Sequence, residues 1–224
     1  LEKYVALAIF DLDNTLINGD SDHAWGAFLI EQGLVDREVV EKANDHFLEQ
    51  YQSGGLDIQE YLEFALQFIA GKSPEELAPL HALFMKNSIE PMLLPKAFEL
   101  IEQHRKAGDV LLIITATNRF VTAPIAERLG FTHLIACEPE LKNGRYTGKP
   151  TGIPSFQHGK VERLNTWLKE HSLSLEDAWF YSDSHNDLPL LERVDNPVAV
   201  NPDSRLLDTA QRNGWPIMDL RKDS

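Results

Sequence analysis

The chain has 224 residues, with 35 Asp and Glu against 21 Lys and Arg, a formal charge of −14 and no basic run; a nucleic-acid backbone is excluded as the expected partner, because neutralising phosphates requires clustered cations. Its most apolar runs, Val5 to Phe10 and Val110 to Ala116, are too short to span a bilayer, and no charged-then-apolar leader precedes the first, so no membrane attachment is expected. Cys137 is the single cysteine, which leaves no intrachain disulfide framework and suits a reducing cytoplasm.

The length fits one large domain or a domain with an insertion, and the order of elements favours the second. Val5 to Phe10 is a continuous apolar run of strand length, the pattern of a parallel strand covered on both faces. It ends in Asp11-Leu-Asp-Asn-Thr15, so Asp11 and Asp13 fall at the carboxyl end of a strand, where open α/β sheets bind ligands. From Gly19 to Met92 the pattern turns amphipathic and helical. The spacing of apolar residues predicts helices over 22–31, 37–51 and 58–70, and Ser73-Pro74-Glu75-Glu76 caps a fourth running to about Asn87. This reads as an all-helical cap over 19–92, inserted into a core made of 1–18 and 93–224.

Strand and helix then alternate. A helix over 96–106 ends at Gly108, the strand 110–114 is closed by Thr115-Ala-Thr-Asn118, and a helix runs to about Leu129. A strand over 133–137 leads to a hairpin over 140–147, turning at Asn143-Gly144. A helix over 158–169, a strand over 178–182 ending at Asp183, a helix over 188–192 and a short strand over 197–200 complete the series. The expected fold is α/β, a doubly wound, mainly parallel sheet.

Four polar features thereby gather at strand ends or helix starts: Asp11 with Asp13, Thr115, Lys160, and Asp183 with Asp187. Each alone has a plainer role: a polar turn, a β-former, a solvated helix residue, a pair of capping acids. Lys is unfavourable at a helix N-terminus, so Lys160 points to a bound anion there. Taken together, the residue types fit one reaction. Carboxylates from two strand ends can hold Mg²⁺, a hard cation that prefers oxygen ligands. With Mg²⁺ and Lys160 offsetting the charge of a phosphoryl group, Asp11 can attack phosphorus and form an aspartyl-phosphate, while Asp13 protonates the leaving alcohol and then activates water.

Asp11-Leu-Asp-Asn-Thr15, Thr115, Lys160 and Asp183-Ser-His-Asn-Asp-Leu188 resemble the four motifs of the haloacid dehalogenase-like phosphatases, over essentially the whole chain. The helical insertion and the hairpin with Gly144-Arg-Tyr-Thr-Gly148 resemble the phosphoserine-phosphatase-like subfamily. The resemblance implies a Rossmann-like core with Asp11 as nucleophile and metal ligand, and Asp13 as acid/base whose backbone carbonyl also meets the metal. It further implies Thr115, Lys160 and Asn186 as phosphate-binding groups, Asp183 as an Mg²⁺ ligand, and Asp187 as the brace of the metal shell.

For specificity, Asp20 stands where phosphoserine phosphatases carry a Glu that pairs with the substrate ammonium. Their cap Arg, which clamps the substrate carboxylate, has no counterpart unless Arg37, the only Arg between Gly19 and Met92, faces the site. The resemblance therefore implies an amino-alcohol phosphate without a carboxylate. Histidinol phosphate, which members of this subfamily hydrolyse, is the preferred substrate, with Trp25, Phe28 or Tyr51 as an aromatic wall. His23, His46 and His81 are expected in ordinary surface or core hydrogen bonds. Ala116 and Thr117 replace two glycines of the family pattern and Ser182 replaces a third, which narrows the backbone space near the phosphate. Rival readings are a phosphoserine phosphatase, a phosphotransferase using the same aspartyl-phosphate and, outside enzymes, a receiver-like phospho-binding module; Asp13 and the large lid argue against the last. The expected partner is a small phosphorylated metabolite, and the protein a cytoplasmic monomer or homodimer.

Overall fold

The computed structural model describes residues 6–221; Val5, where the first apolar run begins, lies outside them. Seven strands form one sheet in the order β4-β3-β2-β1-β5-β6-β7, with β1 (Leu7–Phe10), β2 (Val110–Asn118), β3 (His133–Lys142), β4 (Arg145–Thr151), β5 (Trp179–Ser182), β6 (Asn196–Val200) and β7 (Ile217–Met218). All neighbouring pairs are parallel except β3 and β4, the hairpin that turns at Asn143-Gly144. From β1 the chain winds outward through β2 and β3 on one side and through β5, β6 and β7 on the other. The switch point therefore lies between β1 and β5, where such sheets open a ligand crevice.

The uninterrupted apolar run of β1 follows from this central position. Ala8 and Phe10 face one core, shared with Ile113, Tyr181 and Val198; Leu7 and Ile9 face the other, shared with Leu112, Ile114 and Phe180. The second face is covered by α7 (His158–His171), α8 (Leu188–Leu191) and α9 (Ser204–Asn213). The first is covered by α5 (Pro95–Ala107) and α6 (Arg119–Arg128).

Between β1 and β2 run α1 (Ser21–Glu31), α2 (Arg37–Ser53), α3 (Ile58–Leu66) and α4 (Pro74–Phe84), the last continuing through a wider turn over Met85–Ile89. The chain enters and leaves this helical stretch side by side: Ile17 pairs with Leu93, and the Asn18 amide donates to the Met92 carbonyl at 2.8 Å. Trp25, Phe28 and Phe84 pack into the same cluster as Phe10 and Ile113, so α1 and α4 share the core of the sheet's first face.

Most elements fall where the spacing predicts them, and the differences have local causes. The third helix runs as α3 to Leu66 and tightens into a 3-10 turn over Gln67–Ile69, ending close to the expected Ala70, after which Gly71 and Lys72 pair their backbone with Tyr146 of the hairpin. Strand β2 continues through Thr115–Asn118, with a register shift against β3 between Ile114 and Asn118. Helix α9 and strand β7 were not anticipated.

Candidate active site

Three adjacent strand ends bring the acidic groups together. Asp11 follows β1 with its amide donating to the Tyr181 carbonyl of β5 at 2.9 Å, Thr115 lies in β2, and Asp183 follows β5. Lys160 comes from the first turn of α7 and is buried between them. Its Nζ donates to Asp11 Oδ1 at 2.8 Å and lies 2.8 Å from the Asp187 carboxylate, which also accepts from Ser182 Oγ at 2.7 Å. Burial disfavours the Lys160 charge, but Asp11 and Asp187 outweigh it and hold the ammonium well above its ordinary range. Burial pushes Asp11 up to about 6, with Lys160 opposing the rise and Asp187 adding to it. Asp183, which accepts from Thr15 Oγ1 at 3.3 Å, is raised well above the carboxylate range by burial and by the charges of Asp11 and Asp187.

Among the described residues no three His, Cys, Asp or Glu side chains already stand as a metal-coordinating set. The carboxylates of Asp11 and Asp187 turn instead to Lys160, and that of Asp13 turns away to Ser21 and Thr117. The donor set still fits a hard divalent cation: its ligands are all oxygens, and Asp11, Asp183 and Asp187 face a single buried ammonium, leaving net negative charge.

Asp13 is held from both sides. Its Oδ1 accepts from the Ser21 amide at 2.6 Å, at the start of α1, and its Oδ2 accepts from Thr117 Oγ1 at 2.8 Å, in β2. Burial, then the negative charge of Asp20, pushes its carboxyl up to about 8 against the hydrogen bonds from Ser21, so it carries a proton at neutral pH. Thr115 Oγ1 accepts from the Thr117 amide at 3.1 Å, which leaves its own hydroxyl proton free to donate to an anion.

A cavity of about 320 Å³ connects these groups to the helices above. Asp11, Asp13, Thr115, Lys160 and Asp187 line it together with Asp20 and His23, and its apolar lining comes from Phe47, Leu48 and Tyr51 of α2, with Ile58, Tyr61 and Phe156. Asp20 caps α1 with one oxygen only, Oδ1 accepting from the Asp22 and His23 amides at 2.9 and 2.8 Å, so Oδ2 is left to a ligand. Arg37 does not face this space: it is 66% exposed and pairs with Glu41 on the outside of α2.

Two predicted positions lie elsewhere. Trp25 is 2% exposed and packs against Phe28, His81, Phe84 and Phe120, so its ring is spent on the core and is not part of the cavity wall. Asn186 is buried but turned toward the end of α2: Nδ2 donates to the Tyr51 carbonyl at 3.2 Å and Oδ1 accepts from Gln157 Nε2 at 3.0 Å. It clasps helix to sheet, together with Tyr51 donating to Ser184 Oγ at 2.9 Å and Arg205 donating to the Ser53 carbonyl at 3.1 Å. Gly54, at φ 80°, ends α2 at this contact, where a Cβ would approach His185 Nε2 to 3.3 Å. Sequence reasoning did not assign Ser21, Gln157 or the hydrogen-bonding roles of Thr117 and Ser182; the last two were visible as departures from a glycine pattern, and their hydroxyls fill that space with donors to Asp13 and Asp187.

Residues 8–192 match the sequence profile of haloacid dehalogenase-like hydrolases. The chain belongs to that family. Among relatives of this hydrolase is a histidinol-phosphatase of Neisseria meningitidis serogroup C, 48% identical over 219 residues, covering 96% of this chain and 99% of that protein. A phosphoserine phosphatase of Mycobacterium tuberculosis is 34% identical over 219 residues, covering 96% of this chain and 71% of that one. A crystal structure of a protein of unknown function from Bordetella pertussis superposes on the hydrolase with a TM-score of 0.90 at 46% identity, covering 96% of this chain and 99% of the other.

Proposed function

We propose that this phosphoric monoester hydrolase cleaves the phosphate ester of a small amino alcohol, with histidinol phosphate as the preferred substrate, through an aspartyl-phosphate on Asp11. The observation that carries the substrate class is the charge pattern of the cavity: acidic at Asp20, apolar beyond it, and lined by no arginine among the described residues. A substrate carboxylate would find no guanidinium there, whereas an ammonium would meet the free oxygen of Asp20. The 48% identity to a protein named histidinol-phosphatase supports the choice within that class.

In the proposed reaction Asp11 attacks phosphorus, the bond from phosphorus to the ester oxygen breaks, and the Asp13 proton passes to the departing alkoxide. Water then attacks the aspartyl-phosphate, Asp13 takes its proton, and inorganic phosphate and the Asp11 carboxylate are released. Lys160 and Thr115 hold the phosphoryl oxygens, while Lys160 also restrains the carboxylate that must approach a dianion. Asp11, Asp183 and Asp187, with the Asp13 backbone carbonyl, would hold Mg²⁺; when bound, it neutralises phosphoryl charge and draws the phosphate into line. The helical stretch over 19–92 would act as the cap that excludes water, and it positions Asp13 directly through the Ser21 amide.

The test is kcat/KM for histidinol phosphate, phosphoserine, phosphoethanolamine and phosphocholine, read as phosphate release. Histidinol phosphate should lead. A preference for phosphoserine would overturn the substrate assignment.

A further inference from the structure

Helix α2 presents Asn44, Phe47, Leu48 and Tyr51 to the cavity, spaced as one helical face, and Leu56, Ile58 and Tyr61 belong to the same wall. Leu48 is 50% exposed although it faces this concave space, an apolar surface without a protein neighbour to cover it. Asn44 is half-buried among these side chains and its amide has no hydrogen-bond partner among the described residues. It lies against Gly26, where even a Cβ would come within 3.4 Å of Nδ2. The tyrosine hydroxyls of the wall are engaged, Tyr61 donating to Asp22 Oδ2 at 2.6 Å and Tyr51 to Ser184 Oγ at 2.9 Å, while the His23 ring, also without a partner among the described residues, is exposed beside Asp20 rather than set among the apolar side chains of α2. Asn44 is thus the uncommitted donor and acceptor among those apolar side chains.

We propose that Asn44 determines specificity by hydrogen-bonding a nitrogen of a flat heteroaromatic ring on the substrate, with the ring lying against Phe47, Leu48, Ile58 and Tyr61. The proposal rests on the amino-alcohol phosphate reading and extends it to the apolar part of the cavity. The cavity lining combines phosphate-binding groups, a carboxylate for an ammonium and apolar side chains with one amide, which matches a molecule bearing phosphate, amine and azole. A primary amide serves a ring nitrogen as donor or as acceptor, so the pairing holds for either tautomer. A purely apolar ring would leave the amide unpaired on closure, which is how such a site discriminates.

The test compares wild type with Asn44→Ala on histidinol phosphate and phenylalaninol phosphate, which share phosphate, amine and chain length and differ in the ring. The substitution should lower the ratio of their kcat/KM values, histidinol phosphate over phenylalaninol phosphate, by about tenfold. An unchanged ratio, including an equal fall for both substrates, overturns the role of Asn44 and leaves the amino-alcohol phosphate reading standing. Wild-type protein that releases phosphate from neither substrate overturns that reading and the Asn44 proposal with it.

Discussion

Replacing Thr117 by Val removes one of the two donors that fix the Asp13 carboxyl while keeping the shape of the side chain. Thr117 Oγ1 donates to Asp13 Oδ2 at 2.8 Å, and Asp13 Oδ1 remains held by the Ser21 amide at 2.6 Å. A hydrogen bond to a group that carries charge during turnover is worth about 1.5–3 kcal/mol, so its loss should slow transfer through Asp13 by between about tenfold and about a hundredfold. The effect should depend on the leaving group. An alkyl phosphate needs a proton on its departing oxygen, whereas p-nitrophenyl phosphate expels a stable phenolate without one. Since kcat/KM reports steps up to departure of the alcohol, Thr117→Val should depress kcat/KM for histidinol phosphate and leave it within about twofold for p-nitrophenyl phosphate. Thr117→Ser, which keeps the hydroxyl, should recover most of the loss. Equal losses on the alkyl and aryl substrates would refute the assignment of Thr117 as the positioning residue for Asp13.

Lys160→Met leaves Asp11 and Asp187 buried without their cation and should cost about 3–5 kcal/mol at neutral pH by denaturant unfolding. Because Lys160 holds the Asp11 carboxyl down, its removal lifts that carboxyl further above its wild-type value of about 6, so the deficit should shrink as pH falls toward 6, where the uncompensated Asp11 takes up a proton while the wild-type carboxylate has not yet done so. Asp22, accepting from Tyr61, is raised to about 7 by burial, so the folded protein binds its proton more tightly than the unfolded chain. The stability this contributes is complete below about pH 4 and is lost as pH rises toward 7. Asp22→Asn should therefore gain on wild type over that interval, by at most on the order of 4 kcal/mol, read as unfolding midpoints at several pH values. Asn186→Ala opens the clasp on α2 and should raise KM about five- to thirtyfold with a smaller change in kcat; faster proteolytic cleavage within 51–56 would report the same loosening.

The sheet and the gathering of polar groups beside it were readable because their signals are local. Apolar runs mark strands buried on two faces, and Asp11 and Asp183 directly follow two of them, while Thr115 follows the apolar run of β2 although the strand itself continues to Asn118. Helix α9, which was missed, carries its signals in caps and periodicity, with Asp203 at its start, Gly214 at its end and Leu206 and Ala210 buried on one face, but it is polar elsewhere and no apolar run marks it. Trp25 shows the opposite failure: an aromatic at helical spacing reads the same whether it lines a cavity or fills a core, and here α6 supplies Phe120 to cover it. Asn186 sits within a legible motif, yet its direction is set by Gln157 and the Tyr51 carbonyl, which are far away in sequence. The partners of Asp13 are likewise long-range, and only the fold brings Ser21 and Thr117 to opposite sides of one carboxylate.

Attack by Asp11 is tested most directly by rapid quenching of wild-type protein during turnover of histidinol phosphate with Mg²⁺, followed by proteolysis and mass spectrometry of the peptide that contains residue 11. A phosphoryl group should appear on Asp11 within the first turnover and disappear as substrate is exhausted, and Asp11→Asn should show neither the adduct nor phosphate release. Phosphate release by Asp11→Asn at a rate near that of wild type, or a phosphoryl group carried on another residue, would contradict the mechanism.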